Sequence, residues 1–170
     1  VDHRRAAMGA LFGDRERMRT LLRTGADMAL SRSDAEEMIV MGYCFGGAAT
    51  LEMARNDSLD AVQGYARWLC RLSTRGGQGY DGDEAPILIM HGKDDTRVHP
   101  SQSMELYRYL KTHGKVPVRL VLYPGEGHGN RRAAAQLDYA MRLMRWMQHF
   151  LVDGGSSAPP HQLPHAEQLN

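Results

Sequence analysis

Cysteine is scarce. Cys44 and Cys70 are the only two in 170 residues. Two thiols cannot form a disulfide framework, and with no C-x-x-C pair nothing suggests a structural zinc site. Net charge is also nearly absent. The 21 Lys and Arg are balanced by 20 Asp and Glu, so no general field draws the chain to nucleic acid or to an anionic membrane. No apolar run approaches the roughly 20 residues that span a bilayer. There is no signal-peptide pattern, and a first residue of Val1 leaves an upstream segment open. Reduced thiols fit a cytoplasmic protein. No internal repeat is visible, and the length suits one domain around one core.

What is present centres on Met38-Ile39-Val40-Met41-Gly42-Tyr43-Cys44-Phe45-Gly46-Gly47. Four apolar residues run into Gly-x-Cys-x-Gly-Gly, and Ala48 to Ala54 are good helix formers. This is a strand, a sharp turn and a helix, with a nucleophile at the tip of the turn. It has the form of a nucleophile elbow with Cys in place of the usual Ser. A strained backbone at the nucleophile calls for small neighbours two positions away, here Gly42 and Gly46. The turn aims the Phe45 amide and the helix N-terminus at the reacting atom, favouring negative charge there. The plainer alternative is tight strand–helix packing around a small buried Cys.

Taken in order, residues 3 to 30 read as helix broken near Gly13, with Asp14 as N-cap. Met18, Leu21, Leu22 and Gly25 are expected on one face. Arg15, Arg17, Arg19 and Arg23 are expected on a solvated one. Residues 31 to 37 are a polar link into the elbow strand. The elbow helix is expected to end near Asn56, with a turn at Asn56-Asp57-Ser58. Asp60 to Tyr65 is a second, weaker strand, with a helical turn over 66 to 72 and loop over 73 to 85. Pro86 to Met90 is continuously apolar, as a strand covered on both faces should be. Pro100 opens a helix carrying Met104, Tyr107 and Leu110, closed by Gly114. Val118 to Tyr123 is the last strand. A long helix over about 131 to 151 should bury Leu137, Ala140, Leu143, Met144, Met147, Phe150 and Leu151. Residues 153 to 170, rich in Gly, Ser, Pro, His and Gln, read as a disordered tail.

Strands alternating with helices imply a parallel sheet, whose active site lies beyond the carboxyl ends of its strands. Cys44, Asp95 and His128 all fall just past such ends. A thiolate attacks a carbonyl once a base or a positive neighbour activates it. His128, set among Gly125, Gly127 and Gly129, is the candidate base. Asp95 is the candidate carboxylate to fix its tautomer. Asp94 only solvates the loop, and Arg97 either orients a substrate carboxylate or pairs with an acidic neighbour. Cys70 reads as structural. His161-x3-His165 has ligand-like spacing, but in a tail it makes no convincing metal site. No metal or cofactor is expected.

The order nucleophile, acid, His is that of the α/β-hydrolases. Gly42-Tyr43-Cys44-Phe45-Gly46-Gly47, with the Arg-rich helix before it, resembles the dienelactone hydrolase family. That resemblance implies a Cys–His–Asp triad acting on enol-lactones and other esters. Pro86 to Val98, Pro100-Ser101-Gln102-Ser103 and Tyr123 to Gly129 resemble instead the catalytic domain of the prolyl oligopeptidase family, which is serine-type. Both families place the acid in Asp-x-x-Val, here Asp95-Thr96-Arg97-Val98, which selects Asp95 over Asp94. Cys44 favours the lactonase branch. Both families carry several strands before the elbow, where this chain has only helix. The absent part would hold the second oxyanion donor and, in the dienelactone branch, a carboxylate that controls the resting Cys.

The expected architecture is therefore a three-layer α/β/α domain over residues 1–152, an α/β-hydrolase fold with about four strands. It reads as the C-terminal half of a hydrolase. The expected chemistry is ester or lactone hydrolysis by Cys44, His128 and Asp95, with Phe45, Tyr43 and Arg97 around the substrate. An S9-type peptidase is the alternative enzyme, and an inactive fragment or interaction module the non-enzyme alternative. The expected partner is a small-molecule ester or lactone, with neither nucleic acid nor membrane. A sheet edge exposed near the elbow strand would invite a homodimer.

Overall fold

In the computed structural model, residues 2–54, 62–68 and 85–163 are described. Two helices, α1 (Asp2–Gly13) and α2 (Arg15–Ser31), precede β1 (Met38–Tyr43) and α3 (Phe45–Ala54). Then come β2 (Val62–Trp68), β3 (Ile87–Gly92), α4 (Ser101–His113), β4 (Val118–Tyr123) and α5 (Ala133–Met147), which runs into a π-helical turn at Gln148–Val152. The four strands form one sheet in the order β1-β2-β3-β4, and every pair is parallel.

Strand β3 shows why the layers form. All six of its residues are buried. Successive side chains point to opposite faces. Ile87 and Ile89 join one core with Leu51, Met53 and Ala54 of α3 and Leu106 and Leu110 of α4. Leu88 and Met90 join the other with Leu143 and Trp146 of α5 and Phe150 beyond it. An apolar strand of this kind requires helices on both sides. The three-layer α/β/α expectation holds.

Several local expectations give way to long-range contacts. The chain does break after Gly13, and the Asp14 side chain caps α2 by accepting from the Arg17 N–H at 3.0 Å. But the buried stripe of α2 is Met18 and Ala26, with Leu22 packed beside them; Leu21 is 54% exposed. Arg15 and Arg19 are not simply solvated, because both grip Glu52 of α3, at 3.2 and 3.0 Å. Glu52 is a buried carboxylate in the last turn of α3, and two guanidiniums answer its charge. Strand β2 runs three residues past Tyr65, replacing the first part of the helical turn expected over 66 to 72. In α4, Met104 faces out while Ser103 and Leu106 face in. In α5, Leu137 and Met144 are exposed, and Trp146, at 1% exposure, is the central buried residue. The apolar run around α5 is wider than the stripe the sheet covers, and the largest side chain takes the covered place.

Residues 153–163 also depart from the disorder their composition predicts. Ala158 packs on the α5 core, and Pro159 is buried. Arg119 donates to the Pro160 carbonyl and Arg142 to that of His161, and Arg145 reaches that of Gln162. The turn expected at Asn56-Asp57-Ser58, Cys70, the 73–84 loop and His165 lie outside the described residues. No helix among the described residues is long and apolar enough to cross a membrane, and none of their His, Cys, Asp or Glu side chains cluster as a metal site.

Candidate active site

The sheet delivers three side chains to one end. Cys44 follows β1 with φ 51°, the only non-glycine residue among those described in left-handed backbone. That conformation is costly for an L-residue with a Cβ, and it persists only where surroundings enforce it. The surroundings here are steric. A Cβ on Gly42 would overlap the Gly46 carbonyl and the Thr50 hydroxyl, so only glycine lets β1 pass that close to α3. Gly46 itself has open space where a Cβ would be, so the need for smallness falls on one side of the elbow, not on both as its symmetry suggests. Thr50 closes the first turn of α3 by donating to the Gly46 carbonyl at 2.8 Å. Phe12 of α1 meets the Phe45 ring edge-on at 5.1 Å.

Asp95 lies just beyond β3 and is 3% exposed. Its Oδ1 accepts the backbone N–H groups of Arg97 at 2.8 Å and Val98 at 3.0 Å. Its Oδ2 lies 2.8 Å from Nδ1 of His128. Burial alone would raise the Asp95 pKa. The hydrogen bonds from Val98, His128 and Arg97, with the attraction of the His128 ring, outweigh it and leave the carboxyl below its ordinary value. A carboxylate can only accept, so His128 carries its proton on Nδ1 and leaves Nε2 as the basic nitrogen.

Cys44 and His128 line one cavity of about 250 Å³ with Tyr43, Gly129, Asn130, Gln136 and Tyr139. Cys44 is exposed. The Tyr139 hydroxyl donates to that of Tyr43, joining α5 to the end of β1. Burial, then the bond to Tyr43, pushes Tyr139 far above its ordinary pKa, so its proton stays on. The Asn130 side-chain N–H donates to the Ala135 carbonyl, while its Oδ1 is buried without a partner. Arg97 does not line this cavity: its backbone N–H serves Asp95, and its side chain is exposed.

Sequence reading missed three supporting residues. His91 is wholly buried at the end of β3, with Nδ1 2.6 Å from the Ser103 hydroxyl and Nε2 3.1 Å from the Val98 carbonyl. The carbonyl can only accept, so Nε2 carries the proton and Ser103 donates to Nδ1. A Cβ on Gly92 would overlap the Glu126 and Gly127 carbonyls, so this glycine lets the His128 loop lie against the end of β3. Glu126 is the third. The usable signals were a glycine directly after a buried strand and a carboxylate inside a glycine-rich loop.

Set beside known proteins, residues 71–153 match the model of the prolyl oligopeptidase family. A stretch of 68 residues, 40% of this chain, is 41% identical to the acylamino-acid-releasing enzyme of Rattus norvegicus, of which it covers 9%. A protein assigned as a carboxymethylenebutenolidase in Salmonella typhimurium is 27% identical over 69% of this chain and 48% of its own length. Among solved structures, a dienelactone-hydrolase-like promiscuous phosphotriesterase from metagenomic libraries superposes with a TM-score of 0.75 at 17% identity. It covers 85% of this chain and 66% of that one. A puromycin-hydrolysing peptidase of Mycobacterium tuberculosis superposes at 0.64, again at 17% identity, covering 82% and 25% of the two chains. The chain thus spans about half the length of one curated relative and about a tenth of the other. The chain has the α/β-hydrolase fold, dienelactone-hydrolase-like in architecture, and its second half resembles the prolyl oligopeptidase family.

Proposed function

We propose that this chain is a hydrolase that cleaves carboxylic esters or lactones through Cys44, His128 and Asp95. The observation that carries the reading is one shared cavity: Cys44, held in left-handed backbone, and His128, bonded to a buried Asp95, both line it. Nε2 of His128 takes the thiol proton as Sγ attacks the carbonyl carbon. The oxyanion accepts from the Phe45 N–H, one of the free amides that open α3. Collapse expels the alkoxide, which leaves with the proton from His128, and a thioester remains on Cys44. Water then attacks that thioester with His128 as base, releasing the acid and restoring the thiol. Asp95 holds the ring and offsets the imidazolium charge throughout. The relative assigned as a carboxymethylenebutenolidase supports an ester or lactone substrate.

The testing experiment is alkylation of Cys44 by iodoacetamide from pH 5 to 9, followed by mass spectrometry, with Cys70 as internal reference. Cys44 is expected to react faster than Cys70 at the acid end, and His128→Ala should remove that advantage. Equal rates at both cysteines, unchanged by His128→Ala, would sink the proposal. A second reading, an S9-type peptidase with Cys replacing Ser, is favoured by the match over residues 71–153. Cleavage of acylated peptides at rates comparable to aryl esters would select it. Ester cleavage alone would reject it.

A further inference from the structure

Glu126 is 1% exposed and lies two residues before His128, yet it does not line the cavity. Both its oxygens are engaged. Oε2 accepts the Arg131 N–H at 2.7 Å. Oε1 accepts the Arg132 N–H at 3.3 Å and the Arg132 Nε–H at 2.7 Å, and the far end of that guanidinium reaches the Pro124 carbonyl. The main chain of the same residue is equally committed. Its N–H donates to the Tyr123 carbonyl at 3.3 Å, and its carbonyl accepts the Asp94 N–H at 2.9 Å. One residue therefore ties the end of β4 to the start of α5 and ties both to the strand end that carries Asp95.

The loop it spans needs such a tie. Gly125, Gly127 and Gly129 alternate through it, and glycine gives a chain the most freedom to lose. Gly125 uses that freedom, at φ 73°. The imidazole nevertheless stands 2.8 Å from Asp95, and catalytic groups must be held to within about half an ångström. On the opposite side, the Arg97 and Val98 N–H groups hold the Asp95 carboxylate, and the His91 bond to the Val98 carbonyl ties that turn back to β3. What remains to be fixed is His128 relative to Asp95. The contacts that do so pass through the Glu126 carbonyl and through its side-chain clasp with Arg132.

We propose that Glu126, clasped by Arg132, is a positioning residue that holds the His128 loop in register with Asp95. It acts through His128 and touches no reacting atom. This rests on the reading of His128 as the base, but the test separates the two. Glu126→Gln keeps the shape and weakens the charge-assisted bonds. Arg132→Lys keeps the charge and removes the fork. Glu105→Gln, an exposed carboxylate on α4, is the control for charge alone.

In the full chain, solvent exchange of the His128 Nδ1 proton and the ring tautomer are read by nitrogen-15 NMR, beside global unfolding and p-nitrophenyl acetate turnover. Glu126→Gln and Arg132→Lys are expected to accelerate that exchange more than tenfold while core amides of β3 stay protected. They should lower kcat by about ten- to a hundredfold with KM unchanged, and Glu105→Gln should do neither. Unchanged Nδ1 exchange in both variants would overturn the proposal. So would an acceleration matched by the β3 amides, since the clasp would then be global stability only. If the wild type hydrolyses no ester but the variants still free the Nδ1 proton, the clasp stands and the proposed activity falls. If one variant does not fold, the other supplies the reading.

Discussion

Strands β1 and β3 are equally long and lead to Cys44 and Asp95, but they are held in different ways. Every residue of β3 is buried between two cores. Strand β1 is an outer strand of the sheet, and Met41 and Tyr43 are 43% and 50% exposed. Asp95 is therefore supported by packing on both faces of its strand, and hydrogen bonds tie His128 to it. Cys44 is supported by local stereochemistry, chiefly the contact of Gly42 with the first turn of α3. Packing and strain fail differently, so substitutions on the two sides should leave different signatures.

The largest difference is expected at the glycines. Gly42→Ala drives a Cβ into the backbone of α3 and should cost upwards of about 3 kcal/mol, at the top of the overpacking range. Urea unfolding would check it, and a loss below about 1 kcal/mol would mean that the elbow relaxes freely. Gly92→Ala makes a comparable clash on the other side. It should additionally free the His128 Nδ1 proton, which Gly42→Ala should leave protected. Next come the strand side chains. Ile89→Ala, from a fully buried position, should cost about 2–5 kcal/mol. Met41→Ala should stay within about 0.5 kcal/mol. Equal losses would show that something covers β1 in solution, and light scattering would then be expected to report a dimer.

A pH series sharpens the same contrast. Asp95 and Glu126, both on the packed side, have carboxyls below their ordinary values. For Asp95 burial pulls the other way and is outweighed by the hydrogen bonds of Val98, His128 and Arg97. For Glu126 the Arg132 hydrogen bond leads. The folded state therefore binds fewer protons than the unfolded chain in the acid range. The stability they contribute is present above their ordinary values of 3.8 and 4.5 and is lost as pH falls through the lower folded ones. Thermal melts from pH 7 to 2 should decline below about pH 4.5, and Asp95→Asn should flatten part of that decline. The one gain in the series is expected at Gly46, where a Cβ meets nothing. In a helix interior Gly→Ala gains about 0.5–1 kcal/mol, and Gly46 lies in the first turn of α3, so Gly46→Ala should raise the melting point only slightly, without changing Cys44 alkylation.

Much of this was legible in the sequence wherever the cause is local. The apolar run of β3, the Pro and Gly punctuation of α4 and the elbow glycine each act within a few residues of where they are read. The strand ends then put Cys44, Asp95 and His128 at one edge of the sheet without any knowledge of contacts. What was not legible depends on partners far along the chain. Arg15 and Arg19 look solvated until α3 brings Glu52 to them, more than thirty residues away. Ser103 faces inward with Leu106 and Leu110 and bonds the buried His91, while its neighbour Met104 faces out. Periodicity names the faces of a helix. It does not say which face a distant buried group will claim.

The grip on residues 160–162 has a consequence for how that segment tolerates change. Arg119, Arg142 and Arg145 each take hold of a main-chain carbonyl, and three consecutive ones at that. Every residue type offers the same carbonyl, so exchanges of side chain at Pro160, His161 or Gln162 leave the acceptors where they are. A deletion of one residue between Val152 and Pro160 would not. It would slide the carbonyls out of step with three arginines fixed on β4 and α5. Sequence drift in this segment should therefore be permissive in letters and strict in spacing.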